Sequence, residues 1–355
     1  MTRHHDQVSI TTQEQTTGHE PKWRSFVWRG GRTVATDVPY DRIAHELDAD
    51  PDTRAWWFLP RDAGAVDQTA DLLGLDLYAV EDVVGPRESP KLDVIGDTVL
   101  IVSAGLDFDE PSAELRIQRV SIVATQRVMV VIADEEPLSR LSPLLAQCTP
   151  RMQTEGIGAG VHTVVNALVG TYSHAVEQMV EANDALTASL FADKPLDRDD
   201  QLRAFQLRQA ISHLRKIATP MVDVTADLAS AARRPEDDEA TDPVAALLGT
   251  ANARRFADVA DHARHAADGI TTLREMLNSA FETNLALSDV HLNMIMKKLS
   301  AWAAIIAVPT LITGFFGMNV PYPGFGQGTG FLIGLGIMIT AVVTLFVLFR
   351  RSDWL

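Results

Sequence analysis

The chain has 355 residues, 46% of them hydrophobic, and its 47 acidic against 31 basic side chains leave a formal net charge of −16. That acidic balance, with no basic patch to neutralise phosphates, excludes a nucleic-acid partner. The single cysteine, Cys148, excludes an intrachain disulfide and fits a reducing compartment.

The opening stretch "MTRHHDQVSITTQEQTTGHEPKW" has no apolar h-region, so it reads as a polar, mobile tail over residues 1–26 and not as a secretory signal. Residues 27–250 form the next region. In it "RTVATDV" and "AWWFLP" predict short strands, and "VDQTADLLGL" predicts a helix ahead of "LDLYAVEDV". The Val- and Ile-rich runs "TVLIVSAGLDF", "ELRIQRVSIVAT" and "RVMVVIAD", bounded by polar turns, predict further strands. Helices that alternate with or flank a mixed sheet make this an α/β domain. From about Ser139 the period shifts toward 3.6, and two long helices are predicted, over residues 162–191 and 201–230. The charged stretch "ARRPEDDEATDP" reads as a solvated loop.

Residues 251–298 contain no proline and one glycine, and Phe256, Val259, Ala263, Ala266, Ile270, Leu273, Leu277 and Ala280 recur in steps of three and four. This predicts one long stalk helix with a continuous buried stripe. It runs straight into residues 299–349, where no Asp, Glu, Lys, Arg or His occurs. A helix from Ala251 to Phe316 would be about 100 Å long, too long for the core of one small domain.

The charge-free segment divides into two apolar runs, 299–318 and 331–349, each near the ~20 residues that cross a bilayer. Between them lies the Pro- and Gly-rich loop 319–330. Lys297 and Lys298 precede the first run, and Arg350 and Arg351 follow the second. The positive-inside rule then puts both termini in the cytoplasm, including the short end 350–355, and the loop outside. The first run and its flanks carry a polar thread, Asn293, Ser300, Thr310, Gly314 and Asn319, with Met296, Ala303 and Ala307 filling the same stripe. Such a face lines a pore at an oligomer axis, or it packs helices through small residues. The residues alone leave both open.

Gly317-Met318-Asn319 after "PTLITGFF", followed by a short loop and a final apolar helix, closely resembles the signature of the CorA family of divalent cation channels. "LYAVEDV" with "SPKLDV", "RRFADVADH", and "NMIMKKLSAWAAIIAVPTLITGFFGMN" resemble the family's cytoplasmic, stalk and pore-helix segments, so the likeness covers most of the chain. The resemblance implies a funnel-shaped homopentamer in the cytoplasmic membrane, with the stalk helices lining a pore and the second membrane helices outside them. Hydrated divalent cations pass down their gradient without ATP, and Mg2+ is both cargo and regulator. No GxxxxGK[ST] loop is present, no other cofactor is implied, and the chain is not read as an enzyme.

By the same resemblance Asn319 stands at the pore mouth, where a ring of amides meets the waters of the ion, and Gly317 and Met318 shape that mouth. Thr310, Asn293, Met296 and Leu299 fall at pore-facing positions, with Met296 and Leu299 as a hydrophobic constriction. In the cytoplasmic region Asp82, with Glu81, matches one side of an intersubunit regulatory metal site; Asp258, with Asp261 close by, matches the other.

Two departures from the family pattern bear on the ion. The external loop "VPYPGFGQGTG" has no acid where many Mg2+-transporting members carry a glutamate, and Ala307 is small where bulkier residues are common. Mg2+ is expected over Zn2+, Co2+ or Ni2+ because no Cys or His lines the first apolar run. The rival readings are a zinc-transporting relative, a non-conducting metal sensor or scaffold, and a metal-dependent enzyme built on His262, His265, Asp258 and Asp261. The chain has neither HExxH nor a nucleophile elbow for the last.

Overall fold

The computed structural model describes residues 25–62, 64, 66, 67, 70, 75, 77–85, 89–191, 198–234, 242–318, 321, 324 and 327–355. The tail over residues 1–24, most of "VDQTADLLGL", residues 235–241 of the charged loop, Asn319 and much of the external loop lie outside them. The chain divides into two compact units, Met1–Leu186 with Leu196–Glu275, and Thr187–Pro195 with Met276–Leu355.

The first unit is built on a seven-stranded mixed sheet. Its strands are β1 (Ser25–Arg29), β2 (Arg32–Thr36), β3 (Thr53–Pro60), β4 (Lys91–Ile95), β5 (Thr98–Asp109), β6 (Glu114–Ala124) and β7 (Val128–Ala133). They lie in the order β2-β1-β3-β7-β6-β5-β4. Only β3 and β7 pair in parallel, with Ala55 opposite Val128 and Pro60 opposite Ala133. These central strands are covered on both faces, which is why "AWWFLP" and "VMVVIA" are nearly unbroken apolar runs.

Over one face lie α1 (Tyr40–Ala49) and α2 (Leu77–Val84), whose Ile43, Leu47, Ala79 and Val83 share a core with Trp57, Leu100 and Val130. The helices α3 (Glu135–Glu155), α4 (Gly158–Leu190), α5 (Arg198–Ala231) and α6 (Pro243–Leu248) follow the sheet. The Trp56 indole donates to Thr149 Oγ1 on α3 at 3.1 Å, and the buried Tyr172 hydroxyl on α4 donates to the Ala104 carbonyl of β5 at 2.7 Å. Side chains of adjacent strand residues point to opposite faces, so Trp56 reaches α3 while Trp57 lies in the α1–α2 core. The polar tips of Trp56 and Tyr172 take partners, as burial requires.

One expectation needs correction at its edge, and two segments gain an element of their own. A strand begins at Ser25, inside the stretch read as tail, because Phe26 and Val27 pair with both β2 and β3. The "SPKLDV" segment contains β4, an edge strand. Between β7 and the first predicted long helix stands a further helix, α3, whose pattern is interrupted by Pro143 and Pro150.

After a 3-10 turn over Thr250–Asn252 comes α7, Ala253–Phe316, a single helix of 64 residues that begins in the first unit and ends in the second. Every member of the predicted stripe, from Phe256 to Ala280, is buried. In the second unit α8 (Gly328–Arg351) follows, a few residues longer at each end than the predicted apolar run. The charge-free part of α7 and α8 are both long and apolar enough to cross a membrane, and their most apolar stretches are 11% and 0% buried.

Candidate pore face and cytoplasmic carboxylates

In the second unit the angular order of residues on α7 decides what each can do. At about 100° per residue, Asn293, Met296, Leu299, Ser300, Ala303, Ala307, Thr310, Gly314 and Met318 fall within an arc of roughly 120°. These side chains are open: Met296 is 59% and Leu299 62% exposed. The opposite side of α7 carries buried Ala301 and Ile305. Ile312, Thr313 and Phe316 extend that opposite side and, with Gly330, Gly334, Leu335 and Met338 of α8, line a cavity of about 350 Å3. So α8 takes one side of α7 and leaves the polar thread on the other.

The close approach depends on small residues. A Cβ on Gly334 would stand 3.3 Å from Cδ1 and Cε1 of Phe316, and Gly330, one turn earlier, is buried as well. The pair Gly330-xxx-Gly334 is a small-residue seam of the kind that lets membrane helices approach. The same spacing is present in the sequence, but the uniform apolarity of the second run masks it.

The polar thread has local features of its own. Pro309 has no N–H, which deprives the Ile305 carbonyl of its helical donor. Thr310 donates its hydroxyl to the Ile306 carbonyl at 2.8 Å, so its oxygen is left as an acceptor facing outward. The helix closes through Gly317 N–H to the Thr313 carbonyl at 2.9 Å and Met318 N–H to the Phe315 carbonyl at 3.2 Å. Met318 continues the open stripe, whereas Gly317 lines the cavity shared with α8. Asn319 lies outside the described residues.

In the first unit α2 lays Ala79 and Val83 on the sheet, and the buried Ser121 hydroxyl donates to the Val83 carbonyl at 3.3 Å. This turns Glu81 and Asp82 outward. Glu81 is exposed, but Asp82 is engaged: Lys91 Nζ lies 2.6 Å from its Oδ2 and 3.3 Å from Oδ2 of Asp93. Burial pulls the Lys91 ammonium down, yet its hydrogen bonds to Asp82 and Asp93 more than offset this, and its pKa lies above the ordinary lysine value. Nothing in the sequence singles out Lys91 beyond its place two residues from an acid in a strand-like segment.

Asp258 and Asp261 lie on the outer side of α7. Asp258 and Asp261 are both exposed, and Asp261 accepts from Arg264 at 2.8 Å. Among the described residues no three His, Cys, Asp or Glu side chains converge on a metal-sized site. The expected grouping of His262 and His265 with Asp258 and Asp261 is therefore not a cluster in one chain. Those residues climb two helical turns, about 10 Å.

Beside Asp258 a compact polar knot ties α3 to the root of α7. Arg255 donates to Glu155 at 2.6 Å, and Arg151 lies 3.4 Å from the same carboxylate. Burial opposes the ionised Glu155, but Arg255 and Arg151 hold its pKa below the ordinary range. His162 on α4 packs edge-on against Phe256, ring centres 5.5 Å apart, with its Nδ1 buried and without a partner. Burial, then Arg151 and Arg255, push its pKa down to about 4 against a smaller opposing pull from Asp258.

The profile of the family described as CorA-like Mg2+ transporter protein matches residues 58–351. A relative from Thermotoga maritima, "Cobalt/magnesium transport protein CorA", is 23% identical over 296 residues, covering 82% of this chain and 80% of its own. Among solved structures, the complete CorA magnesium transporter from Methanocaldococcus jannaschii superposes with a TM-score of 0.72 at 21% identity, covering 93% of this chain and 98% of that one. The full-length CmaX protein gives a TM-score of 0.68 at 19% identity, with 95% of this chain and all of that one covered. At these identities the structural likeness speaks for the fold.

Proposed function

The chain belongs to the CorA-like Mg2+ transporter family, and from that premise we propose that it is a passive channel for divalent cations, with Mg2+ as its cargo. The observation that carries this reading is the open polar stripe on α7 opposite the side taken by α8. Polar and small groups in a membrane helix cost free energy against lipid unless they meet water or a partner. A homopentamer with five such faces around one axis gives them water. Asn319 then presents amide oxygens and N–H groups at the outer mouth, and Thr310 presents an outward oxygen further in. Mg2+ gives up its waters reluctantly and favours oxygen, so neutral acceptors can pass a hydrated ion without trapping it. Met296 and Leu299 form the apolar throat that closes by dewetting.

Both termini lie in the cytoplasm in this reading, since Lys297, Lys298, Arg350 and Arg351 flank the two spans on one side. The carboxylates of Asp82 and Glu81 on one protomer and Asp258 and Asp261 on the next are the regulatory pair. Their oxygen donors suit a hard cation such as Mg2+. Cation binding between protomers favours the closed population, and its loss releases it.

The test is ion flux into proteoliposomes carrying the full-length protein and a Mg2+-sensitive dye, with Zn2+, Co2+ and Ni2+ in parallel. Mg2+ entry that falls when Mg2+ is supplied at the cytoplasmic face is expected. Flux of Zn2+ alone would assign the chain to zinc transport, and no flux of any ion would make it a sensor.

A further inference from the structure

The Asp82 carboxylate, assigned above to the regulatory site, is already occupied by a cation of the protein itself. We propose that Lys91 is the internal competitor of the regulatory divalent ion, an ammonium that holds Asp82 when the ion is absent and retires to Asp93 when it binds. This rests on the reading of Asp82 as a regulatory ligand and adds to it the residue that sets its threshold.

The geometry gives Lys91 a second carboxylate to turn to. Its Nζ sits between Oδ2 of Asp82 at 2.6 Å and Oδ2 of Asp93 at 3.3 Å, so one carboxylate can let go while the other keeps the charge paired. Lys91 begins β4, the edge strand of the sheet, paired on one side only with Val102 of β5. Its side chain is about one-third exposed, at 31%, which leaves a flexible stem room to swing. Lysine is suited to such a move, because its ammonium is a compact point charge on a four-carbon stem, without the fixed fork by which arginine clamps a carboxylate. Asp82 is 28% exposed, so a hydrated cation can reach the carboxylate without unfolding α2.

A competing ammonium raises the free-ion concentration at which the site fills. Without it, Asp82 would carry an uncompensated charge toward its neighbour, and the site would fill at a lower free-ion concentration. The pair is partly exposed, and such pairs shift equilibria by up to about fivefold, a useful adjustment for a sensor.

The experiment follows the thermal midpoint of the full-length protein in detergent as Mg2+ is titrated, a readout independent of transport. In the wild type, Mg2+ is expected to raise the melting temperature with a definable half-saturation. Lys91→Met is expected to lower that half-saturation by about three- to fivefold. Asp93→Asn, which removes the alternative carboxylate at Asp93, is expected to raise it, and this second variant keeps the test standing if Lys91→Met does not fold. Half-saturation unchanged in the folded variants, or shifted in the opposite directions, overturns the role of Lys91. Asp82→Asn separates the two readings. If it keeps the full Mg2+ response, Asp82 is no ligand and both fall; if it abolishes the response while Lys91→Met stays at the wild-type value, only the competitor falls.

Discussion

The ring of Phe316 on α7 occupies the space a side chain at Gly334 of α8 would need, with Cδ1 and Cε1 both 3.3 Å from the position of a Cβ. The contact sits at the end of α7, next to Gly317, and so ties the external end of the proposed pore helix to its hairpin partner. Gly334→Ala asks Phe316 to give by a few tenths of an ångström, which a ring at a helix end can do. Gly334→Leu cannot be absorbed that way. It is expected to lower the detergent melting temperature and cut flux severalfold, whereas the alanine variant stays near wild type. Equal behaviour of the two variants would mean that the helix approach does not matter to the mouth.

Gly158 opens α4 against the end of α6 with no free space. A Cβ there would lie 2.5 Å from the Leu248 carbonyl oxygen and 2.8 Å from that of Leu247, both backbone atoms that cannot rotate away. Gly158→Ala is expected to destabilise the protein by about 1–3 kcal/mol. Gly170, on the same helix, has nothing within 4 Å of its Cβ position, so Gly170→Ala is expected to be neutral or to stabilise by up to about 1 kcal/mol through helix propensity. The two melting temperatures, measured side by side, check the packing of α4 on α6 without reference to transport.

His162 gives the polar knot at the root of α7 a defined response to acid. In the folded protein it stays neutral down to about pH 4, while in the unfolded chain it takes a proton near its ordinary 6.5. Between those values unfolding takes up a proton, so the contribution of this site to stability is intact above about pH 6.5 and is lost progressively as the pH falls toward 4. Glu155 acts in the same direction at lower pH, because its lowered pKa contributes stability that is lost as the carboxylate is protonated. His162→Gln is expected to flatten the melting temperature against pH between 6.5 and 4 relative to the wild type. Parallel curves for the two proteins would remove His162 from the acid response.

How much of the structure is legible in the sequence follows from how local each signal is. The stripe from Phe256 to Ala280 is legible because a helix repeats its buried face every three or four residues, and all eight positions are buried. The strands β5, β6 and β7 announce themselves through Val and Ile. By contrast, β4 is five residues at a sheet edge with no fully buried position, and α1 buries only Ile43 and Leu47. The helix α3 carries Pro143 and Pro150, which read as breaks. The Lys91–Asp82 pair depends on how the chain returns from α2 to β4, and no spacing rule gives that. That Gly317 lines the cavity shared with α8 while Met318 continues the open stripe is not given by the 100° step, which would set Gly317 at the angle of Leu299; both follow the last residue of the helix, Phe316, and a three-residue motif invites treatment as one unit.

Asn319 carries the most direct prediction for the mouth. If its amide meets the waters of the incoming ion, Asn319→Ala should assemble as the wild type does by size-exclusion chromatography and transport little Mg2+. Asn319→Asp keeps the oxygen and adds a charge to each protomer, so tighter holding of the ion and slower release are expected. Undiminished flux through an assembled alanine variant would detach Asn319 from the conduction path.

The throat is tested by making it wettable. Met296 and Leu299 are 59% and 62% exposed on the open stripe of α7, about one helical turn apart and directly beside Lys297 and Lys298. An apolar ring closes a narrow passage because water leaves it, and an ion cannot cross where its hydration shell cannot follow. Leu299→Ser should hold water in the closed state, so Mg2+ leak in proteoliposomes is expected to rise several-fold at high cytoplasmic Mg2+, where the proposed regulation shuts the wild type. Leu299→Ile keeps the surface apolar and should retain closure. Thr310→Val, on the same stripe but already giving its hydroxyl hydrogen to Ile306, tests the opposite sense. It removes an acceptor from the conduction path and should lower open-state flux without adding leak. Leak from Leu299→Ser with closure kept in Leu299→Ile would assign the gate to apolarity at this turn of the helix. Tight closure in all three would move the gate to another turn of α7.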